Sequence, residues 1–358
     1  MRIKYLLLIW GLLGYFSVFA QQDTVTQNAR TDSLVRARYV ENIKYYIRVF
    51  VYSSRFSNGI LYNGNSRLSY FPITPVNIGL GLAHKWLGGS VSIVSIQSNK
   101  SKFIDNYNFN IQLNANGRKV GAEINYTLNS GYYQTKYKDF APYGYANTDQ
   151  PFFNIRMQRL TFNFVRIFNS KNYSLNALIN QGEIQKKSAS SFLLNMGFST
   201  AFAENGDSLL VPTYLQGLFE GNTLLKKGTF YSLGVMPGYG FTWVVKEKFF
   251  VGVVPSFGVS LQYQHLDFQE GEEDRLRVSY KALGRFGLGY HLDRWMIGLS
   301  AIFDVEHYPL GNHTYLLNNV GRVYARIGYR LNAPKWVQKY SNRMDKYQDK
   351  IERAFPKY

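Results

Sequence analysis

The chain has 358 residues, a formal charge of +18 and no cysteine. No Pro/Gly/Ser-rich linker divides it and alternating segments recur almost throughout, so one large β domain is expected rather than two. Without cysteine it has no disulfide framework, thiolate metal site or lipidated N-terminal Cys, and its basic balance points to an anionic membrane surface rather than nucleic acid if it is exported.

Residues 1–20 supply the reason to expect export. Arg2 and Lys4 precede an apolar core from Tyr5 to Phe16, and Val18-Phe19-Ala20 suits signal peptidase. The run is shorter than the ~20 residues of a spanning helix, so a cleaved signal peptide is expected, with the mature chain beginning near Gln21. Residues 21–42 then form an N-terminal periplasmic segment, with a short basic helix expected where Arg30, Arg36 and Arg38 stand among Leu34, Val35 and Tyr39.

From 43 to 332 the pattern has period two. Tyr107, Phe109, Ile111, Leu113 and Ala115 share one face against Asn106, Asn108, Asn110, Gln112 and Asn114. After the Asn116-Gly117 hairpin signal, Val120, Ala122, Ile124, Tyr126 and Leu128 oppose Gly121, Glu123, Asn125, Thr127 and Asn129. Further along, Phe249, Val251, Val253, Phe257, Val259, Leu261 and Tyr263 oppose Gly252, Ser256, Gly258, Ser260, Gln262 and Gln264. One apolar and one polar face per strand is what a closed barrel in lipid requires, and no later apolar run is long enough for a membrane helix.

Strands are expected near 43–57, 76–86, 89–98, 105–115, 118–131, 153–168, 172–182, 188–204, 228–245, 248–266, 276–292, 295–308 and 314–331. Bacterial single-chain barrels have even strand numbers, so Val211 to Phe219 is a candidate fourteenth and 12 is the fallback. The fold class is therefore all-β: a transmembrane antiparallel up-and-down barrel of about 12–14 strands. Short turns at Leu87-Gly88-Gly89, Asn116-Gly117, Asn169-Ser170-Lys171, Lys246-Glu247-Lys248 and Leu292-Asp293-Arg294 alternate with longer connections, of which Tyr132 to Pro151 is the longest and rich in tyrosine.

Residues 333–358 change period. Trp336, Tyr340, Met344, Tyr347, Ile351 and Phe355 form one helical stripe, with Lys335, Lys339, Arg343, Lys346, Lys350 and Arg353 on other faces. This amphipathic helix is expected in the periplasm, where it lies on anionic headgroups, plugs the barrel, or covers its foot.

Chemistry-bearing residues gather on the inward faces of the last strands: Arg277, Lys281 and Arg285, then Asp304 and Glu306, then Arg322, Arg326 and Arg330. Such a set is either an ion-pair network that fills the lumen or a basic wall that selects a small anionic solute. Inward glycines nearby (Gly234, Gly238, Gly240, Gly252, Gly258, Gly287 and Gly289) imply close approach of other atoms and favour the first. His265 and Asp267, two apart near a loop, could form an acid–base dyad, while His307 and His313 match no standard metal-ligand spacing. No Walker-type loop, HExxH or GxSxG motif is present, so no catalytic residue, metal or cofactor is expected.

Gly79-Leu80-Gly81-Leu82-Ala83-His84-Lys85-Trp86-Leu87-Gly88, Gln185-Lys186-Lys187-Ser188-Ala189-Ser190-Ser191-Phe192-Leu193-Leu194 and Pro237-Gly238-Tyr239-Gly240 resemble an uncharacterised Bacteroidota outer-membrane β-barrel family, the domain of unknown function numbered 4421. The resemblance covers about residues 40–332. It implies a bacterial outer-membrane location, with outer-membrane lipid, lipopolysaccharide and the assembly machinery as partners, and it transfers no activity. The sequence thus leads to a non-enzymatic envelope barrel that passes or binds a small anionic solute or scaffolds partners. Its alternatives are a barrel enzyme acting on lipid or peptide at the outer rim, and a secreted glycan-binding β-sandwich.

Overall fold

The computed structural model describes residues 34–43, 46–63, 67–74, 76–96, 108–135, 150–218, 224–311 and 314–355. The expected signal peptide, His313 and most of the tyrosine-rich loop lie outside them. A helical segment over 34–39 leads into β1 (Val40–Asn42), and a long antiparallel sheet follows. Its strands are β2 (Tyr46–Asn63), β3 (Arg67–Pro72), β4 (Val76–His84), β5 (Leu87–Ile96), β6 (Asn108–Asn116), β7 (Val120–Thr135), β8 (Gln150–Ile167), β10 (Ala189–Asn205), β11 (Leu225–Val245), β12 (Phe249–Phe268), β13 (Gly271–His291), β14 (Trp295–Pro309) and β15 (Tyr315–Asn332). The short β9 (Glu183–Gln185) stands apart and pairs only with β1.

The sheet closes on itself. β15 pairs antiparallel with β2 from Tyr315↔Asn63 to Asn332↔Tyr46, so the described wall is a ring of twelve strands in which each pairs with its neighbours in sequence. A β-sandwich would leave this seam open. β3 was not expected as a strand: it continues the line of β4 and bridges β2 to β7 over the shorter hairpin of β5 and β6.

Alternation sets the faces as read from the sequence. On β6, Asn108, Asn110 and Gln112 are buried while Leu113 is exposed, and on β12 Ser256, Ser260, Gln262 and Gln264 are buried while Val253, Phe257, Val259 and Leu261 face out. Burying amides and hydroxyls while exposing large apolar groups is the reverse of a water-soluble protein.

Two expected strands do not form. Residues 172–182 lack strand alternation because they leave the wall: Leu175–Ile179 is a short helix, N-capped by the Ser174 hydroxyl, and every residue in it is buried. Val211 to Phe219 gives no strand either, since Thr213–Leu218 is a 3₁₀ turn. Removing the first reduces the thirteen sequence segments to the twelve of the wall. The turn expected at Leu87-Gly88-Gly89 sits earlier, with Lys85 at φ 53°. The three-residue turn after β11 places both Lys246 and Glu247 at positive φ, and the Lys248 N–H donates back to the Val245 carbonyl.

The C-terminal helix, Lys335–Arg353, begins two residues after β15 and lies against the rim of short turns. Among the described residues no helix is long and apolar enough to cross a membrane.

Candidate functional site: the filled lumen

The barrel interior is occupied along its length by three different materials. At the short-turn end it holds the segment between β8 and β10. Tyr173, Leu175, Leu178 and Ile179 pack there against Val165, Ile167, Leu193, Phe250 and Val254. The wall makes room with glycine: a Cβ on Gly287 would stand 2.5 Å from the Leu178 carbonyl oxygen, and one on Gly252 2.8 Å from the Leu178 side chain. Gly240 likewise meets Tyr173, and Gly289 meets Gln181. Four of the inward glycines singled out in the sequence therefore face this plug; Gly234, Gly238 and Gly258 instead abut Lys281 or a neighbouring strand.

Arginines from the wall hold the far end of the plug. Arg326 on β15 donates to the Ile179 carbonyl at 2.5 Å, and Arg48 on β2 donates to the carbonyls of Gln181 (3.4 Å) and Lys85 (3.2 Å). Cationic donors at carbonyls left over from a helix end are favourable on charge as well as hydrogen bonding. Arg330 closes the rim by donating to the carbonyls of Leu292 and Asp293 at 3.0 and 3.1 Å, with His291 Nδ1 2.9 Å from its other nitrogen. The N-terminal segment also docks here: Arg36 pairs with Glu183 at 2.7 Å.

The middle of the lumen is ionic. Lys281 and Glu306 are register partners on β13 and β14, with Nζ 3.3 Å from Oε1. Arg159 on β8 reaches Asp304 at 2.9 Å and Glu306 at 3.1 Å. Arg285 crosses from β13 to Glu123 on β7 at 3.0 Å and also donates to Asn195. Arg322 donates to Asn125 and Thr127 at 2.9 and 2.7 Å. The Ser199 and Tyr308 hydroxyls donate to Glu306 at 2.8 and 2.9 Å. Each carboxylate so placed is met by a base, which a buried charge needs to remain ionised. A cavity of about 20 Å³ lies between Glu123, Arg159, Thr161, Asp304 and Arg322, room for a water.

Towards the other end the filling becomes apolar. Leu210, Val211 and Leu224, from the connection after β10, pack with Leu68, Tyr70, Tyr132, Phe230, Leu266 and Tyr308. The Tyr70 hydroxyl donates to the Leu210 carbonyl at 2.9 Å and fixes that connection inside the mouth.

Seven of the eight lumen residues named from the sequence thus stand together in the interior. Arg277 does not: it is exposed, because β13 pairs with β14 only from Lys281 onward, and its first half extends past that ladder alongside β12, which stays paired with β11. Alternation gives parity but not where the wall ends. Arg159 and Arg48 belong to the interior and were missed, although Arg159 shares parity with Thr161 and Asn163 against Leu160 and Phe162, and Glu123, read on the polar face of its strand, was not joined to the charged set. The expected His265–Asp267 dyad is also not formed. His265 faces Asp274 across the β12–β13 pairing, at 2.7 Å and exposed on both sides. His307 lies between the rings of Tyr280 and Tyr315, at centroid distances of 4.4 and 4.5 Å.

A family model described as domain of unknown function DUF4421 matches residues 30–331. The chain belongs to that family. Among solved structures, the DUF4421 chain is similar to the outer-membrane protease OmpT from Escherichia coli, at 8% identity and TM-score 0.35, over 81% of this chain and 98% of that one. An outer-membrane channel from Pseudomonas putida F1 matches at 10% identity and TM-score 0.32, over 82% and 98%. The toluene transporter TodX from Pseudomonas putida matches at 11% and 0.27, over 80% and 90%. No curated protein matches the chain significantly. At these scores the likenesses carry no functional argument, and the function of this DUF4421 barrel has to be read from its own geometry.

Proposed function

We propose that this protein is a closed, non-conducting barrel of the bacterial outer membrane, which serves as a structural or docking platform rather than a passage. The observation that carries the membrane half is the outward face. Around the ring Val51, Leu82, Ile93, Leu113, Phe162, Phe192, Val259, Ile297 and Ile327 are exposed, a continuous apolar belt far beyond the few hundred Å² found on soluble monomers. Aromatic groups bound it. Trp243, Tyr290, Trp295 and Tyr329 lie towards the short turns, and Tyr231, Tyr263, Tyr280 and Tyr315 towards the other end. The roughly dozen residues between the two levels, at ~3.3 Å each and a strand tilt of roughly 40°, span roughly 30 Å, the thickness of a hydrocarbon core. Trp and Tyr are the residues that settle at the two edges of such a layer.

The half concerning conduction rests on the filling just described. Plug, ion pairs and apolar mouth block the same axis in series, and the basic wall that would attract an anion is spent on internal carboxylates and carbonyls. In this reading short turns and both chain ends face the periplasm, export depends on residues 1–20, and the His265–Asp274 pair, exposed on both sides, is a surface ion pair rather than a reacting dyad.

Cell fractionation tests the location. The protein is expected in the outer-membrane fraction, resistant to alkaline extraction, with electrophoretic mobility that changes on boiling. Recovery from the soluble periplasm without detergent would overturn it.

A further inference from the structure

The C-terminal helix turns its aromatic stripe away from the barrel. Trp336, Tyr340, Tyr347 and Ile351 are 67%, 62%, 69% and 53% exposed; the side chains of Met344 and Arg353 lie outside the described ones. What docks the helix is its polar side. Lys85 donates to Asn342 and pairs with Asp345 at 2.6 Å, and the Trp86 indole donates to Asp345 at 3.2 Å. At the far end Lys119 donates to the Phe355 carbonyl, and the Phe355 ring lies 5.9 Å from that of Phe164. Phe164 is on the outward face of β8, in line with Phe162 and Leu160. The helix therefore runs along the outside of the rim from β15 to β8, passing the turns after β4 and β6, and ends on the wall's apolar belt.

Its third side is basic. Lys335, Lys339, Arg343, Lys346 and Lys350 are all exposed, and each immediately precedes a stripe residue, so the bases form a row beside the aromatics and away from the docked side. An amphipathic helix with aromatics on one face and lysines beside them is built to lie in a membrane interface. Here the barrel fixes its height, because Phe355 already sits on the belt.

We propose that this helix is an interfacial strap that seats its aromatic stripe in the phospholipid leaflet around the barrel's foot, with its lysine row on anionic phospholipid headgroups. The inference rests on the membrane reading above. It adds a lipid partner, a lipid-contact site and a preference for anionic lipid.

With no native cysteine in the chain, nitroxide labels can be placed singly at Tyr340→Cys or Tyr347→Cys in the full barrel, with Val259→Cys as the wall control. Proteins are reconstituted in phosphatidylcholine vesicles with and without phosphatidylglycerol, and collisions with oxygen are compared with those with a water-soluble nickel chelate. In phosphatidylglycerol vesicles both helix labels are expected to favour oxygen several-fold. Replacing Lys335, Lys339, Lys346 and Lys350 by Gln, or omitting phosphatidylglycerol, is expected to lower that preference. Helix labels that read water while Val259→Cys reads lipid would overturn the strap and spare the barrel; a Val259→Cys label that also reads water would overturn the membrane reading itself. Burial unaffected by phosphatidylglycerol, or label–label broadening that dilution with unlabelled protein removes, would overturn the anionic-lipid partner, the latter in favour of a second copy of the chain.

Discussion

Glu306 shows what individual side chains contribute. It is fully buried, holds Arg159 and Lys281 together, and accepts from two hydroxyls. Glu306→Gln keeps its shape and removes its charge. Lys281 then loses its carboxylate and Arg159 keeps only Asp304, and breaking a buried pair from one side costs about 3–5 kcal/mol. Urea unfolding of the reconstituted barrel is expected to show a loss of that order, whereas Ser199→Ala, which removes a single hydroxyl donor, costs about 1 kcal/mol. Equal midpoints for Glu306→Gln and wild type would mean that the ion pairs do not hold the interior.

At the scale of elements, the plug depends on backbone space in the wall. Gly287→Leu would drive a side chain into the Leu178 carbonyl, and the short helix must then lift while the strands keep their pairing. In a chain without other cysteines, Asn180→Cys reports this. It is expected to be protected from a water-soluble maleimide in the parent and to react ~10-fold faster with Gly287→Leu, as local opening predicts. Identical rates would show that the plug is not seated by those glycines. The wall was legible because lipid outside and polar filling inside impose period two on each strand, as on β6 and β12. The plug was not, since Tyr173 to Gln181 is apolar enough to pass for another strand and only the facing glycines hinted at a guest. Arg277 was misplaced for a related reason: alternation names a face, but the register of β13 against β14 decides where the barrel stops; His265 stands on its strand face near a loop as read, and the register of β12 against β13 gives it Asp274 as partner in place of Asp267. Arg159 could have been found by the parity of Thr161 and Asn163, while Arg48 becomes informative only once the plug carbonyls stand opposite it.

For the whole molecule, under the function proposed above, an outward apolar belt, a lumen stopped in series and a basic helix around one rim make a barrel whose surfaces, not its bore, meet other molecules. Conductance across planar lipid bilayers tests this most directly. The refolded full chain is expected to give a quiet baseline at either polarity, without discrete steps, in anionic as in neutral lipid. Reproducible single-channel steps from the unaltered protein, above all steps selective for anions, would contradict the closed lumen and restore a passage lined by Lys281, Arg285 and Arg322.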